Sequence, residues 1–300
     1  VAISALAPSY FNPRSLDALI VCCADIAAAA PETPFYFYDI PALTGVQFAE
    51  SEESLNATIK SQVESGQVTW DVVDVGNDFG LEGNKDILEP LDYTLIHKDE
   101  ILPGFASTYR VADITYGVVL AYRTDKFNGA VPQGWADFFD SKKFPGKRSI
   151  RNGAKWNLEI ALIADGVPAA DVYKVLATPE GVDRAFRKLD TVKADLVFWK
   201  SGAQPPQMLA AGDVVMTTAY NGRITAANEK DKKNFKMVWK DTPYTMDSWV
   251  IMKGTPNKAN AEKLVEFMGR PDNQAKLPKY IRYGVTAAGA APLIDKALMA

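Results

Sequence analysis

Short apolar runs alternate with amphipathic stretches along almost the whole chain, the order expected of an α/β protein. Residues 1–7 and Phe35–Ile40 read as strands, with a helix between them from Ser15 to about Ala30 that Pro31 and Pro34 end. Val46–Glu50 reads as a further short strand. Ser54 is placed to cap a helix over LNATIKSQVESG that Gly66 closes, and WDVVDV (70–75) follows as a strand running into the loop Gly76-Asn77-Asp78. Residues 80–114 are mixed, and YGVVLAY (116–122) is a buried strand. Trp135 opens a short helix, and Arg148–Ile150 is a strand leading into a helix that runs to about Asp165. Then come amphipathic helices over 168–176 and 179–190, a strand Leu196–Trp199 and a helix Gln204–Ala211. A strand Val214–Ala219, a helix from about Arg223, strands Phe235–Trp239 and Tyr244–Met252, and helices over 257–269 and 271–280 complete the order.

Composition narrows what this pattern can be used for. The chain has 300 residues, enough for two domains at roughly 150 residues each. It is 47% apolar and 23% charged, with 33 basic and 37 acidic residues and a net charge of −4, which gives no electrostatic footprint for nucleic acid. His97 is the sole histidine, so a histidine metal site or a Ser-His-Asp triad would have to be built on it alone; in the charged stretch IHKDE it reads as a surface residue. Cys22 and Cys23 are adjacent, about 3.8 Å apart at Cα and below the roughly 4.4 Å that a disulfide needs. No apolar run reaches the roughly 18 residues of a membrane-spanning helix. The stretch LDALIVCCADIAAAAP after Arg14 imitates a signal peptide, but Asp17 and Asp25 fall on one stripe of a helix instead. No cofactor is expected, since neither a P-loop nor a GxGxxG motif is present.

From about Gly45 to the end, SLNATIKSQVESGQVTWDVVDVG, YGVVLAYRTDKF followed by PQGWADFFDSKKFPGKRSIR, LAAGDVVMTTAYNGR, YTMDSWVIMKGTPNKANAEKLVEF and YGVTAAGAA occur in one order. That series resembles the extracellular solute-binding proteins of ABC importers, above all the branch with the spermidine/putrescine-binding proteins. The resemblance implies a two-lobe periplasmic-binding-protein-like (type II) fold with a ligand cleft between the lobes. Lobe 1 is expected over 1–122 plus 247–300 and lobe 2 over 123–246, with crossings near Arg123 and Tyr244–Asp247. It also implies a periplasmic monomer that captures a small cationic or amine-bearing solute and presents it to a membrane permease.

The resemblance places the ligand contacts residue by residue. Asp247, a carboxylate in an otherwise apolar strand, matches the family's ammonium-binding aspartate. Tyr220 and Tyr283 match aromatics that line the cleft, while Asn77 and Phe79 match a hydroxyl residue and an aromatic after the third strand. Aromatic walls suit such a ligand because methylenes and ammonium groups both pack on ring faces, at about 0.5–2 kcal/mol per cation–π contact. The sequence departs from the polyamine pattern twice. Thr245 stands where a Trp often lies, and an expected acidic residue is replaced by Asn152-Gly153, flanked by Arg151 and Lys155. Positive charge beside a helix start favours an anion, so a ligand with one amine and a carboxylate fits Asn152 and the neighbouring Trp156 better than a long polyamine. Each of these side chains also has a plain structural alternative as a core or strand-end residue.

The first 45 residues differ. SALAPSYFNPRSLDALIVCCADIAAAAPETPFYFYDIPALTGV, with Tyr38-Asp39-Ile40-Pro41, is similar to the dihydrodipicolinate synthase and N-acetylneuraminate lyase family. Tyr10 and Phe11 follow the first strand of this segment, where the binding proteins place ligand aromatics; as strand–helix–strand, it is expected to dock in the same place. A lyase would need a desolvated Schiff-base lysine, and the nearest downstream lysine, Lys60, lies on the polar side of a helix. A binding protein without catalysis is therefore expected. The alternatives are a hybrid chain with impaired binding and a lyase-like enzyme.

Overall fold

A computed structural model describes residues 3–5, 35–37, 52–127 and 129–298. Its strands are β1 (Ile3–Ala5), β2 (Phe35–Phe37), β3 (Val72–Gly76), β4 (Leu88–Glu89), β5 (Val111–Arg123), β6 (Arg148–Arg151), β7 (Leu196–Trp199), β8 (Met216–Tyr220), β9 (Phe235–Val238), β10 (Tyr244–Met252) and β11 (Gly284–Val285). The helices are α1 (Glu52–Ser65), α2 (Trp135–Phe138), α3 (Asn157–Ala164), α4 (Val172–Leu176), α5 (Pro179–Asp190), α6 (Gln204–Ala211), α7 (Asn221–Lys230), α8 (Lys258–Gly269) and α9 (Pro271–Gln274).

Local signals set many of these bounds. Thr178 caps α5 through its hydroxyl, which accepts the Gly181 N–H at 3.1 Å, with Pro179 at the first helical position. Gly212 ends α6 in the left-handed region at φ 84°. The expected helix over 271–280 divides into α9 and a single turn at Leu277–Lys279. Pro278 explains the break, because its ring lacks an N–H and collides with the carbonyl four residues back, at Gln274. Strand β5 begins five residues before the expected Tyr116. Its first half carries a bulge opposite Asp247 and Ser248, which spoils the alternation that marks a strand.

Strand β5 organises the molecule. From Val111 to Gly117 it pairs antiparallel with β10, which pairs in turn with β3 and β4. From Val118 onward it pairs with β8 and β9, and β8 continues into the parallel strands β6 and β7. The change of partner falls between Gly117 and Val118. Each strand set is covered on both faces. Around β3 and β10, Ile59, Val73, Val75, Val250 and Met252 pack on one face. Val111, Ile251, Ala261 and Val265 pack on the other. Around β8, Val118, Leu120, Phe138, Ile150 and Ile160 form one core, and Ala121, Leu209, Ala219 and Ile224 the second. Fully burying the Val, Leu, Ile, Phe and Met side chains among them stabilises by about 1.5–3 kcal/mol each.

Strands β1 and β2 pair parallel with each other and form a sheet of their own, separate from the nine-stranded one. Among the described residues no strand pairing joins this pair to the large sheet, where the sequence expects it to dock. The expected strand Val46–Glu50, the helix from Ser15, both cysteines, Tyr10 and Phe11 lie outside the described residues. Among the described residues no helix is long and apolar enough to cross a membrane.

Candidate ligand-binding site

Asp247 sits in the first strand set, three residues along β10 from Tyr244, which pairs with Gly117 where the two sets meet. It lies on β10 between Gly76 of β3 and Ile114 of β5, at the bulge, and is half-buried. Tyr116 of β5 donates its hydroxyl to Asp247 Oδ1 at 2.9 Å. The Tyr116 ring is 5.1 Å from that of Tyr220, edge-on, and 5.2 Å from that of Tyr283. Trp199 extends the row, with its ring 5.6 Å from that of Tyr220. Three tyrosines from three segments thus cluster with Tyr116 at the centre, and Tyr116 bonds the carboxylate.

The backbone makes room for these rings. A Cβ on Gly222 would come within 2.5 Å of the Tyr283 ring, and one on Gly202 within 2.7 Å of the Tyr220 ring. Asn221 ties the segments together. Its side chain accepts the Gly117 N–H at 3.0 Å and donates to the Arg282 carbonyl at 2.7 Å. The carboxyl-terminal segment bearing Tyr283 is thereby fastened to both β5 and the start of α7.

Charge is concentrated on the Asp247 side. Asp113, at the bulge, is raised to about 7 by burial and then by the charge of Asp247, against the hydrogen bond from the Ile114 N–H. Asp74 of β3 is raised by loss of solvent and by both other carboxylates. Burial lifts the Tyr283 phenol to about 12, with Tyr220 and Asp247 adding to the rise. Arg223, in the first turn of α7, opposes it by its charge and a hydrogen bond to Tyr283. Among the described residues no cluster of His, Cys, Asp or Glu is arranged to hold a metal ion.

The structure brings together Asp247, Tyr220 and Tyr283 of the residues expected from the sequence. Phe79 and Trp156 are 7% and 5% exposed and pack in the cores on either side. Asn77 and Asn152 lie at the ends of β3 and β6. The Asn77 carbonyl accepts a hydrogen bond from Arg110, and the Asn152 N–H donates to the Trp199 carbonyl at 2.7 Å. Tyr116, Trp199 and Arg223 were not anticipated. Tyr116-Gly117 repeats the Tyr-Gly step of Tyr283-Gly284. Arg223 is a cation in the first turn of a helix, where acidic residues are favoured. The misplaced cation is a signal the sequence offers for Arg223, whereas a Tyr-Gly step inside a strand is too common to single out Tyr116. His97 is exposed, and Lys60 is exposed and pairs with Glu64 at 3.7 Å.

Residues 44–298 match the model of the family described as bacterial extracellular solute-binding protein. The chain belongs to this family. A gamma-aminobutyric acid-binding protein of Pseudomonas aeruginosa is 44% identical over 273 residues, which cover 90% of this chain and 77% of that protein. A solved GABA receptor structure is 33% identical with a TM-score of 0.75, over 92% of this chain and 80% of its own. An ABC transporter substrate-binding protein from Bradyrhizobium japonicum USDA 110 is 34% identical with a TM-score of 0.76, over 93% and 83% of the two chains. The fold is thus the α/β, two-lobe fold of periplasmic binding proteins. A separate short similarity, 53% over 47 residues, links 16% of this solute-binding chain to 18% of N-acetylneuraminate lyase B of Xenopus laevis.

Proposed function

We propose that this solute-binding protein captures a short ω-amino acid of the γ-aminobutyrate type for an ABC importer in the periplasm, without catalysis. Asp247 receives the ammonium group, Tyr116, Tyr220 and Tyr283 enclose the methylenes, and Arg223 receives the carboxylate. The observation that carries this reading is the Asp247 carboxylate held by Tyr116, whose ring packs against those of Tyr220 and Tyr283. Arg223, against Tyr283, supplies the opposite charge at the same cluster. The similarity to a γ-aminobutyrate-binding protein supports the same class of ligand. Exposed, ion-paired Lys60 does not suit a Schiff base. The lobes in this reading are residues up to Gly117 with those from about Asp247 onward, and the segment from Val118 to about Met246.

Calorimetric titration with γ-aminobutyrate, putrescine and n-butylamine tests the proposal. γ-Aminobutyrate is expected to bind most tightly and to stabilise the fold by about 2.7 kcal/mol at a hundredfold excess over Kd. Putrescine binding more tightly, or γ-aminobutyrate not binding at all, overturns it.

Two observations favour a second reading. The separate β1–β2 pair and the short lyase similarity fit a hybrid chain whose amino-terminal segment leaves the cleft without some ligand contacts. A cooperative melt that no amine shifts is the result that reading expects.

A further inference from the structure

Asp78 follows β3 and Lys155 follows β6, so they belong to different strand sets. Their side chains nonetheless meet, with Lys155 Nζ 2.9 Å from Asp78 Oδ1. Both ends are held from behind. Buried Arg110 donates one guanidinium nitrogen to the Asn77 and Phe79 carbonyls, the two that flank Asp78. Gly80 turns the chain at φ 78°, and a Cβ there would lie 2.8 Å from Arg110 Cβ, so the guanidinium stem and the loop fit only without a side chain. On the other side, Lys155 Nζ lies 5.6 Å from the Trp156 ring centroid. Trp156 is buried in a left-handed conformation at φ 72°, a strained state for a bulky residue that persists only where packing enforces it. Arg151 adds positive charge near Asp78.

We infer that Asp78 and Lys155 form a latch that draws the two lobes together independently of the ligand. This rests on the two-lobe reading of the molecule, and it gives the loops bearing Asn77, Phe79, Asn152 and Trp156 a role in closure. The pair joins two backbone positions that are already fixed, so the freedom lost when it forms is that of the two side chains alone. The Asp78 side chain is 59% exposed and that of Lys155 24%, so the bias is modest and salt-sensitive.

The test measures the ligand-free radius of gyration by X-ray scattering and the γ-aminobutyrate dissociation rate by stopped flow. Lys155→Met is expected to enlarge the ligand-free protein and to raise the dissociation rate about two- to fivefold. Asp78→Lys, which sets like charges against Lys155 and Arg151, has the larger effect. The exchanged pair D78K/K155E recovers most of both changes, and 0.5 M salt diminishes the difference. Unchanged ligand-free dimensions in both single variants, or an exchanged pair no better than D78K, overturn the latch. If γ-aminobutyrate fails to bind the unaltered protein, the ligand reading has failed, and the scattering comparison still decides the latch by itself. Circular dichroism confirms that each variant is folded; should D78K not fold, Asp78→Asn is read against Lys155→Met.

Discussion

Asp247 enters any encounter already hydrogen-bonded to Tyr116 and crowded by other carboxylates. Asp247→Asn keeps the shape and removes the charge. A hydrogen bond to a charged group contributes about 1.5–3 kcal/mol, so γ-aminobutyrate affinity should fall about ten- to a hundredfold by calorimetry. The neighbouring Asp113 makes a different prediction. Its raised pKa of about 7 means that the folded chain keeps a proton that the unfolded chain has released. Stability from this group is thus fully present below about pH 4 and is lost as pH rises toward and through 7. Asp113→Asn should gain in melting temperature over the unaltered protein between pH 5 and pH 8; a constant difference across that range would refute the shift. Asp247 was legible because a carboxylate in the apolar run YTMDSWVI has no ordinary place in a core. Tyr116 was not, because an aromatic at the start of YGVVLAY reads as one more strand residue. The register with β10, which sets Tyr116 opposite Thr245 and so two residues along one face from Asp247, cannot be read from that stretch alone.

Elements with clear punctuation were readable: Pro179 to Asp190 and Gln204 to Ala211 begin and end as their prolines and the following Gly212 require. Elements whose ends depend on partners were not. The first half of β5 is a strand because β10 and β11 bond to it, not because of its own alternation. Packing between helices gives a sharper check. A Cβ on Gly181 of α5 would lie 1.9 Å from the Val175 carbonyl oxygen of α4. Gly181→Ala must part the two helices, at a cost of about 1–3 kcal/mol, and should lower the melting temperature by several degrees. Ligand affinity should be untouched, since neither α4 nor α5 carries a residue of the proposed site.

At the scale of the molecule, the pairing pattern was beyond what local sequence reveals. Nothing in WDVVDV states that its partner is YTMDSWVIM, whereas the alternation of strands and helices did indicate the class of fold. The two strand sets also differ in the reach of their contacts. Ser149 of β6 hydrogen-bonds Thr217 of β8, 68 residues away, while Thr255 beyond β10 hydrogen-bonds Asp71, 184 residues earlier. Closing longer loops costs more entropy and slows folding. Pulse-labelling hydrogen exchange during refolding should find the Ser149 and Ile150 amides protected before those of Val73 and Val75; the reverse order would refute this. Among the described residues β3 finds its strand partner in β10, which also supplies Asp247, so a nascent chain has synthesised more than four-fifths of the 300 residues before that pairing can form. Until then the side of Val72–Gly76 that β10 will cover stays open, and a cell making this protein must keep that edge from pairing with other chains.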